Sequence, residues 1–440
     1  MKVLVVGGGA REHIMAEVAV RDGAELFVAL NNKNPGLLGL SSDSLFCTDM
    51  DPSVISTWAH EQNIDLALIG PESALASGIV DNLNALDIPA MGPTKSASRI
   101  EVDKEFMRDL SSEFSYPGQL DYKVFSTVEE ARNFLETFGK DCAIKPIGLT
   151  GGKGVKVMGD QLHSIDEAVA FCEEIIDTQM SGYAKVVLEE RAIGEEFTLQ
   201  AFISGETVVP MPAAQDHPHA LEGDIGAITG GMGSYSQADG LLPFLSQSEY
   251  DSALDTIRAT AAAMNSINSP YRGILYGEFI LTSDGPRLVE YNARFGDPEA
   301  MNVLSVLNSN FLEVSMDIAL GNLKSVDFES KATVCKYIVP EGYGTSPRSD
   351  CSLNVDSELL SSSGAKVYYA AVNLEDNNQI STTTSRSAAV VGKGDSIESA
   401  EKVAEAGLEA VSGTGLYVRH DIATEASISK RVSHMENLRS

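Results

Sequence analysis

The chain has 440 residues, of which 43% are hydrophobic and 22% charged, a composition typical of a globular protein with roughly three domains. Its 63 acidic side chains outnumber the 32 basic ones, and the formal net charge is −31. This excess argues against a protein that binds nucleic acid through its phosphates, which requires Lys and Arg. It does not exclude small phosphate compounds, which need only local donors.

The cysteines and the hydropathy pattern indicate a cellular compartment. Five scattered cysteines without a C-x-x-C pair predict reduced core thiols, and therefore a cytoplasmic location. The chain enters a strand at once, with no basic segment before a long apolar stretch. No run approaches the 18 or so apolar residues of a membrane span, so we expect no membrane association.

Strands and helices alternate over the first 100 residues. Residues 2–6 are an apolar, β-branched run that is followed by "GGGAREH" and an amphipathic stretch. Further strands are predicted at 24–30 and 65–70, and a helix over 73–86. This alternation predicts an α/β fold with a parallel, doubly wound sheet.

The pattern of predicted elements then changes at four points along the chain. Thr94 is predicted to cap a helix that runs to about Leu110, and Ser164 with Glu167 forms a capping box before another helix. Two later helices are predicted near 249–264 and 299–320. The predicted units are an N-terminal domain at 1–100, a connecting helix at 101–119, a small unit with a Gly-rich loop at 120–190, a strand-rich unit at 191–325 and a small mixed C-terminal domain at 326–440.

The first loop, "GGGAREH", invites a dinucleotide interpretation that its details contradict. Glu12 stands where the third glycine of that fingerprint belongs, and Asn31 and Asn32 replace the expected acidic residue at the end of the second strand. What remains is an anion site made of backbone N–H groups at a helix start, with Arg11 beside them. The alternative is a plain tight turn.

The stretch "AIKPIGLTGGKGVKV", residues 143–157, combines an apolar strand with a glycine-rich loop. Lys145 lies on the predicted strand and Lys153 on the loop, so the two ammonium groups can contact phosphates from opposite sides. Glycines let the backbone approach phosphate oxygens, and closure of the loop excludes water. The alternative is a hairpin without a ligand.

A third group of polar residues lies on two strands that a "TSDGP" turn can pair. Glu290, Asn292 and Arg294 alternate, so they are predicted to share one face of a strand, and Glu278 lies on the neighbouring strand. Carboxylate and amide oxygens suit Mg²⁺, and a buried acidic residue is costly unless it is paired or binds metal. Solvated sheet residues are the alternative.

An acidic run follows the next predicted strand, with Glu189 and Glu190 at its end and Glu195 and Glu196 shortly after. Such a run is commonly a solvated surface. Between a lid and a body, it can instead hold a ribose and present backbone groups to an adenine edge.

Together these features resemble the ATP-grasp enzymes. More narrowly, "GGGAREH", "GPE" at 70–72, "QDH" at 215–217, "TGGMGSY" at 229–235 and "EYNARFGDPE" resemble the phosphoribosylamine–glycine ligase family, in order and over nearly the whole chain. The sequence departs from the family pattern at Ala10, at Pro218 and in the loop "IGLTGGKGV".

The resemblance implies an ATP-grasp fold with a Rossmann-like N-terminal domain, a lid at 120–190, a body with a metal site and a small C-terminal domain. It implies that ATP and Mg²⁺ or Mn²⁺ are used to join glycine to 5-phosphoribosylamine in purine biosynthesis. The intermediate is glycyl phosphate, and the products are 5-phosphoribosylglycinamide, ADP and phosphate.

Carried over residue by residue, the resemblance also implies site roles. Arg294 neutralises the phosphoryl group and the glycine carboxylate, Asp216 orients the amines, and the main chain of 190–192 contacts adenine. The residues implied to contact ATP are, at its phosphates, Lys104, Lys145, Gly151, Gly152, Lys153 and Gly154 and, at its adenosine, Glu189, Glu190 and Glu196. The implied metal ligands are Glu278, Glu290 and Asn292, and the residues implied to bind the ribose 5-phosphate substrate are Gly9, Arg11, Asn34, Gly36 and Glu72. The implied catalytic residues are Lys153, Asp216 and Arg294.

Two rival functions remain open at this point. One is a biotin carboxylase or another carboxylate–amine ligase, against which "TGGMG" and "RFGDPE" speak. The other is a catalytically idle nucleotide-binding regulator, against which the retained lysines, acidic pair and Arg294 speak. The expected partners are small molecules only, and the expected state is a monomer with a weak dimer as the alternative.

Overall fold

The computed structural model describes residues 1–148 and 154–440 of the chain. The predicted phosphate ligands Gly151, Gly152 and Lys153 therefore lie outside the described residues. Within the two described ranges, no helix is both long and apolar enough to cross a membrane. All five cysteines are free and buried, as predicted for core thiols.

The N-terminal part is a parallel sheet flanked by helices. Its elements are β1 (Lys2–Val6), α1 (Ala10–Arg21), β2 (Glu25–Leu30), α2 (Pro35–Leu40), β3 (Asp43–Phe46), α3 (Pro52–Glu61), β4 (Leu66–Ile69), α4 (Glu72–Ser77), α5 (Ile79–Asn84) and β5 (Ala90–Met91). The strands are all parallel in the order β3-β2-β1-β4-β5, which confirms the predicted doubly wound sheet. The loops after β1 and β4 meet at the switch point, where such sheets bind ligands.

Two predicted helices are interrupted in the structure. The helix expected over 73–86 breaks at Gly78, whose φ of +90° is left-handed and which separates α4 from α5. The helix expected from Thr94 to Leu110 is replaced by α6 (Arg99–Val102) and α7 (Lys104–Glu113). Asp103 separates them and caps α7, because its carboxylate accepts the Phe106 N–H at 3.0 Å.

Residues 120–190 are called the lid, and those that the structure describes form a four-stranded antiparallel sheet in the order β6-β9-β7-β8, with two helices and a hydrophobic cluster of their own. The elements are β6 (Tyr122–Phe125), α8 (Val128–Phe138), β7 (Cys142–Pro146), β8 (Lys156–Val157), α9 (Ile165–Thr178) and β9 (Val186–Glu190). Ser164 caps α9 as predicted, but the Glu167 carboxylate accepts from the His163 N–H at 2.7 Å, so the predicted capping box is displaced by one residue.

The next part, which we call the body, is centred on an antiparallel sheet. Its elements are β10 (Glu195–Ser204), β11 (Thr207–Pro210), β12 (Gln215–Asp216), β13 (His219–Leu221), β14 (Ile225–Ile228), β15 (Gly233–Ser236), α10 (Gln247–Ser266), β16 (Arg272–Thr282), β17 (Gly285–Asn292), α11 (Glu299–Leu304) and α12 (Phe311–Leu320). The order is β11-β10-β16-β17. The predicted helix over 299–320 is two helices, and β17 ends at Asn292, so Arg294 lies beyond the strand on which it was predicted.

The remaining residues continue a sheet of the body. They form β18 (Ala332–Pro340), β19 (Ser352–Val355), α13 (Ser357–Ser363), β20 (Lys366–Tyr369), β21 (Val372–Leu374), β22 (Ile380–Thr382), β23 (Ala388–Gly394), α14 (Ile397–Leu408), β24 (Val411–Thr414), β25 (Leu416–Val418) and α15 (Glu425–Arg439). A six-stranded sheet, β12-β15-β18-β23-β20 with β25 beside β18, crosses the predicted boundary at 325. The division into domains stays a prediction, and α15 was not predicted.

Gly118 lies where the connecting segment packs against the body, and a substitution at this residue tests that contact. Its φ is +69°, and a Cβ there would lie 2.6 Å from the Pro286 carbonyl oxygen. Gly139, at the end of α8, has a φ of +73° with no described atom within 4 Å of that position. Because both alanine variants carry the same left-handed strain, we expect Gly118→Ala to lose about 1–3 kcal/mol more stability than Gly139→Ala. Urea unfolding measures both, and equal losses would contradict the contact.

Candidate active site

The predicted site residues converge on one cleft of about 760 Å³ that the four parts of the chain line together. The N-terminal sheet contributes the loops after β1 and β4, the switch point of the doubly wound sheet. The predicted residues that line the cleft are Gly9, Arg11, Glu72, Lys104, Lys145, Glu189, Glu190, Glu196, Asp216, Glu278, Glu290, Asn292 and Arg294.

Three predicted residues lie beside this lining. Asn34 is fully buried as the cap of α2, where its Oδ1 accepts from Gly36 N–H at 3.0 Å and its Nδ2 donates to Gly8 O at 3.0 Å. Gly36 packs against His13, whose ring a Cβ would meet at 2.0 Å. Gly154 has a φ of +89° and precedes Val155, which lines the cleft.

Lys145 is held by a buried network of ion pairs. Its Nζ lies 2.8 Å from Glu189 Oε2, and Glu189 Oε1 accepts from Arg108 Nε at 2.8 Å. Burial alone would raise the pKa of Glu189, but the two cations lower it to about 2. The Glu189 carboxylate is thus committed to Arg108 and Lys145 rather than open to a ribose.

Sequence reasoning missed Arg108, although one signal was present. Arg108 follows Lys104 by four residues, so both lie on one face of α7, and both are buried. Two buried basic residues on one helix face indicate an anionic neighbour. Lys104 lies beside the end of β7, where its backbone N–H donates to the Ile147 carbonyl at 3.1 Å.

An apolar region lies between the lid and the body at one end of the cleft. Its lining side chains are Leu120, Ala143, Val155, Val157, Ile280 and Val289. Glu190 and Ala192 border this region, and Glu190 forms an ion pair with Lys140 at 2.6 Å. Apolar walls of this kind suit a flat nucleobase.

The predicted metal ligands lie across from one another on two paired strands. Glu278 of β16 pairs with Glu290 of β17, and Tyr276 pairs with Asn292, with an irregularity after Glu278. Burial, followed by the negative charge of Glu290, raises the pKa of Glu278 well above its ordinary value. Among the described residues, no group of three or more His, Cys, Asp or Glu forms a complete metal site. The facing carboxylates with the Asn292 amide remain as the oxygen donors.

Arg294 lies past the end of β17 and contacts three polar side chains. Its Nη2 donates to Asn292 Oδ1 at 3.0 Å, its Nε lies 3.5 Å from Glu72 and its Nη2 3.6 Å from Glu101. Burial raises the pKa of Glu101 to about 7, although Arg294 opposes the shift. Glu101 was missed, because nothing in the local sequence distinguishes it from a surface glutamate.

The first loop already contains a carboxylate at the predicted anion site. Glu12 Oε2 accepts the Gly9 N–H at 2.7 Å, and Glu12 Oε1 pairs with Arg11 at 2.7 Å. In the sequence, Glu12 is distinguished only by its position, where the third glycine of the dinucleotide fingerprint would stand. An anionic substrate group at this loop must therefore compete with Glu12 for Arg11 and the Gly9 N–H.

Arg386, from the C-terminal part of the chain, connects the motifs "TGGMG" and "GDPE" on another wall of the cleft. Nothing in the sequence had indicated this arginine. Arg386 donates to the carbonyls of Gly231 at 3.2 Å and Asp297 at 2.7 Å, and pairs with the Asp297 carboxylate at 3.1 Å. Beside it, burial and the negative charges of Glu299 and then Glu196 raise the pKa of Asp216 well above its ordinary value.

A lid and a body that enclose such a cleft, with a strand lysine and facing carboxylates, define an ATP-grasp enzyme. Models of the phosphoribosylglycinamide synthetase family match this chain in three segments: the N domain over 1–101, the ATP-grasp (A) domain over 102–300 and the C domain over 333–425. The chain therefore belongs to the phosphoribosylglycinamide synthetase family, which confirms the resemblance.

Curated relatives and solved structures agree with this assignment. Phosphoribosylamine–glycine ligase of Methanothermobacter thermautotrophicus is 51% identical over 440 residues, all of both chains, and that of Thermococcus kodakarensis 47% over 439 residues, also complete. The crystal structure of the Thermotoga maritima ligase has a TM-score of 0.82 at 23% identity, over 96% of this chain and 100% of that one. A biotin carboxylase domain from Hydrogenobacter thermophilus shares the fold alone, with a TM-score of 0.72 at 15% identity over 99% and 93%.

The Glu189 network generates a prediction about stability and pH. We expect Glu189→Gln to lose about 3–5 kcal/mol, because Arg108 and Lys145 then lack their buried counter-charge. Since folding lowers the pKa of Glu189, its contribution is complete above the ordinary value of 4.5 and declines as pH falls towards about 2. The stability difference between wild type and variant, from urea unfolding, should shrink over this window. A difference independent of pH would contradict the assignment.

Proposed function

We propose that the chain joins glycine to 5-phosphoribosylamine in an ATP-dependent reaction of purine biosynthesis that gives 5-phosphoribosylglycinamide, ADP and phosphate. The observation that carries this proposal is the family match, with 51% identity to a curated ligase over the full length of both chains. The cleft supports it, because it offers an apolar region, buried lysines and an acidic pair in one volume.

The chemistry requires that the glycine carboxylate be activated. A carboxylate is a poor electrophile, because it is anionic and its oxide is a poor leaving group. Transfer of the γ-phosphoryl group of ATP gives glycyl phosphate; the ribosyl amine then attacks its carbonyl carbon, and phosphate leaves. The task of the protein is positioning and charge neutralisation.

ATP is proposed to lie with its base between lid and body and its phosphates at the lysines. Lys145 is fixed on β7 by Glu189, and Lys104 lies at the end of the same strand. By resemblance, Lys153 and the loop glycines contact the phosphates from the lid. Adenine meets the main chain of 190–192, and Glu196 faces the ribose.

A divalent cation fits the facing carboxylates. Glu278 and Glu290 would hold Mg²⁺ or Mn²⁺ with Asn292, since two half-buried like charges that face each other on paired strands are costly without a cation or a proton. When bound, the ion neutralises phosphate oxygens of the nucleotide.

Arg294 is proposed to neutralise the transferred phosphoryl group and the glycine carboxylate. Its contacts with Glu72 and Glu101 are 3.5 and 3.6 Å long, so its guanidinium retains capacity for an anion. Asp216 orients the amines on the opposite wall. The ribose 5-phosphate substrate is assigned to the first loop, with Arg11 and Glu72. We also propose that the protein acts in the cytoplasm as a monomer, which sedimentation can test.

Isotope transfer tests the acyl phosphate. With ¹⁸O-labelled glycine, each turnover must move one carboxylate oxygen onto the released phosphate, and mass spectrometry of that phosphate measures it. Phosphate without label would rule out glycyl phosphate. In parallel, ADP release that requires bicarbonate and biotin instead of glycine would replace the proposed reaction with a carboxylase.

A substitution tests the acidic pair. Glu290→Gln keeps the shape of β17 but removes a metal-binding charge, so we expect turnover to fall by about 10² to 10³. The control is Asp284→Asn, which removes an exposed carboxylate from the turn between the same two strands and should retain normal turnover. Steady-state kinetics on folded protein measures the turnover of both variants. A Glu290→Gln enzyme with normal turnover would place the metal elsewhere.

A further inference from the structure

One side chain of the last helix, α15, contacts two segments of the body whose neighbouring residues line the cleft. Arg431 Nη1 donates to Glu195 Oε2 at 3.0 Å, and its Nη2 donates to Asp224 Oδ2 at 2.7 Å. Apart from its first residue, the helix lies beyond the family match of the C domain, which ends at residue 425. Arg431 therefore joins two distant parts of the body from an element outside that match.

The first contact fixes the place where the lid strand continues into the body. Glu195 begins β10 directly after the linker 191–194 that follows β9, and its side chain is only 4% exposed. The next residue, Glu196, lines the cleft, and Thr198 of β10 pairs with Glu278 of β16. The position of the β10 start thus affects both the nucleotide end of the cleft and the acidic pair.

The second contact fixes a hairpin that has little support of its own. Asp224 lies in the turn between β13 and β14, which form an isolated two-stranded sheet. Such a hairpin is marginal without outside contacts. His219 and Ile228 of this hairpin line the same cleft as Arg191 and Ala192 of the linker. Burial would raise the pKa of Asp224, but Arg431, followed by His217 and Arg419, lowers it to about 2.

We propose that Arg431 is a positioning residue that sets the separation of the linker and the hairpin, and thereby the affinity of the cleft for adenine nucleotide. This rests on the proposed function, which places the nucleotide at this end. Without Arg431 each wall keeps a partner, since His434 Nδ1 contacts Glu195 at 2.5 Å and Arg419 contacts Asp224 at 3.0 Å. Lys430 Nζ of the same helix also lies 3.6 Å from Asp224. What is lost is the direct bridge through one side chain, because Lys430 and His434 connect the two segments only through the helix itself.

The experiment compares variants by calorimetric titration with MgADP, which requires neither glycine nor 5-phosphoribosylamine. Arg431→Met keeps the apolar stem and removes both ion pairs, so we expect the Kd for MgADP to rise about tenfold. Arg431→Lys, which can reach only one of the carboxylates, should fall between wild type and Arg431→Met. Under saturating ATP, kcat should change less than KM for ATP, and KM for glycine should stay near the wild-type value.

The matched control is Arg439→Met on the same helix. Arg439 pairs with Glu249 at 2.7 Å, away from both walls, so this variant tests the docking of α15 alone. It should lower the melting temperature while leaving the Kd for MgADP unchanged. An unchanged Kd in Arg431→Met or Arg431→Lys, or an equal rise in Arg439→Met, would overturn the proposal. Failure of the ligase reaction would appear separately, as absent product in wild-type enzyme that still binds MgADP.

Discussion

The constraint that shapes this cleft is the concentration of negative charge in a confined volume. Asp216, Glu278 and Glu299 are buried or half-buried beside Glu196 and Glu290, and burial raises the pKa of the first three. For Asp216 and Glu278, repulsion by neighbouring carboxylates is the next largest cause of the rise. Such groups stay ionised only where cations offset them. A nucleotide triphosphate and a carboxylate substrate add further negative charge. The remaining polar residues of the cleft can be understood as the response to this repulsion.

The positively charged side chains that offset this repulsion are held in place by ion pairs, to different degrees. Arg108, Glu189 and Lys145 form a buried triad with a net charge of +1, so the fold presents one fixed positive charge at the lid strand. Arg294 differs, because its contacts with Glu72 and Glu101 are long. One cation is therefore rigidly oriented, while the other keeps room for a ligand. This division suits a site that must hold a phosphate chain and release a transferred group.

The sequence predicted the features that depend on local pattern. The alternation of strands and helices over the first 100 residues indicated the parallel sheet, and the turn after Glu278 indicated that its strand pairs with the strand of Glu290. It could not predict Glu101 or Arg386, whose partners lie far away in the chain. For Arg108 it offered only the four-residue spacing from Lys104, which does not identify a partner. The position of Arg294 was also missed, since an alternating pattern does not reveal where a strand ends. The ion pairs of Glu189 likewise follow from tertiary packing alone.

The last quarter of the chain belongs to the cleft rather than to a separate appendage. The six-stranded sheet runs from β12, which carries Asp216, into the C-terminal strands. Arg386 binds the carbonyls of Gly231 and Asp297, and a Cβ on Gly231 would lie 2.7 Å from Pro298. The motifs "TGGMG" and "GDPE", distant in sequence, are thus one packed unit with an arginine from a third segment. A residue that contacts backbone carbonyls leaves no local signature, which explains why these motifs are recognisable while the side chain that joins them is not.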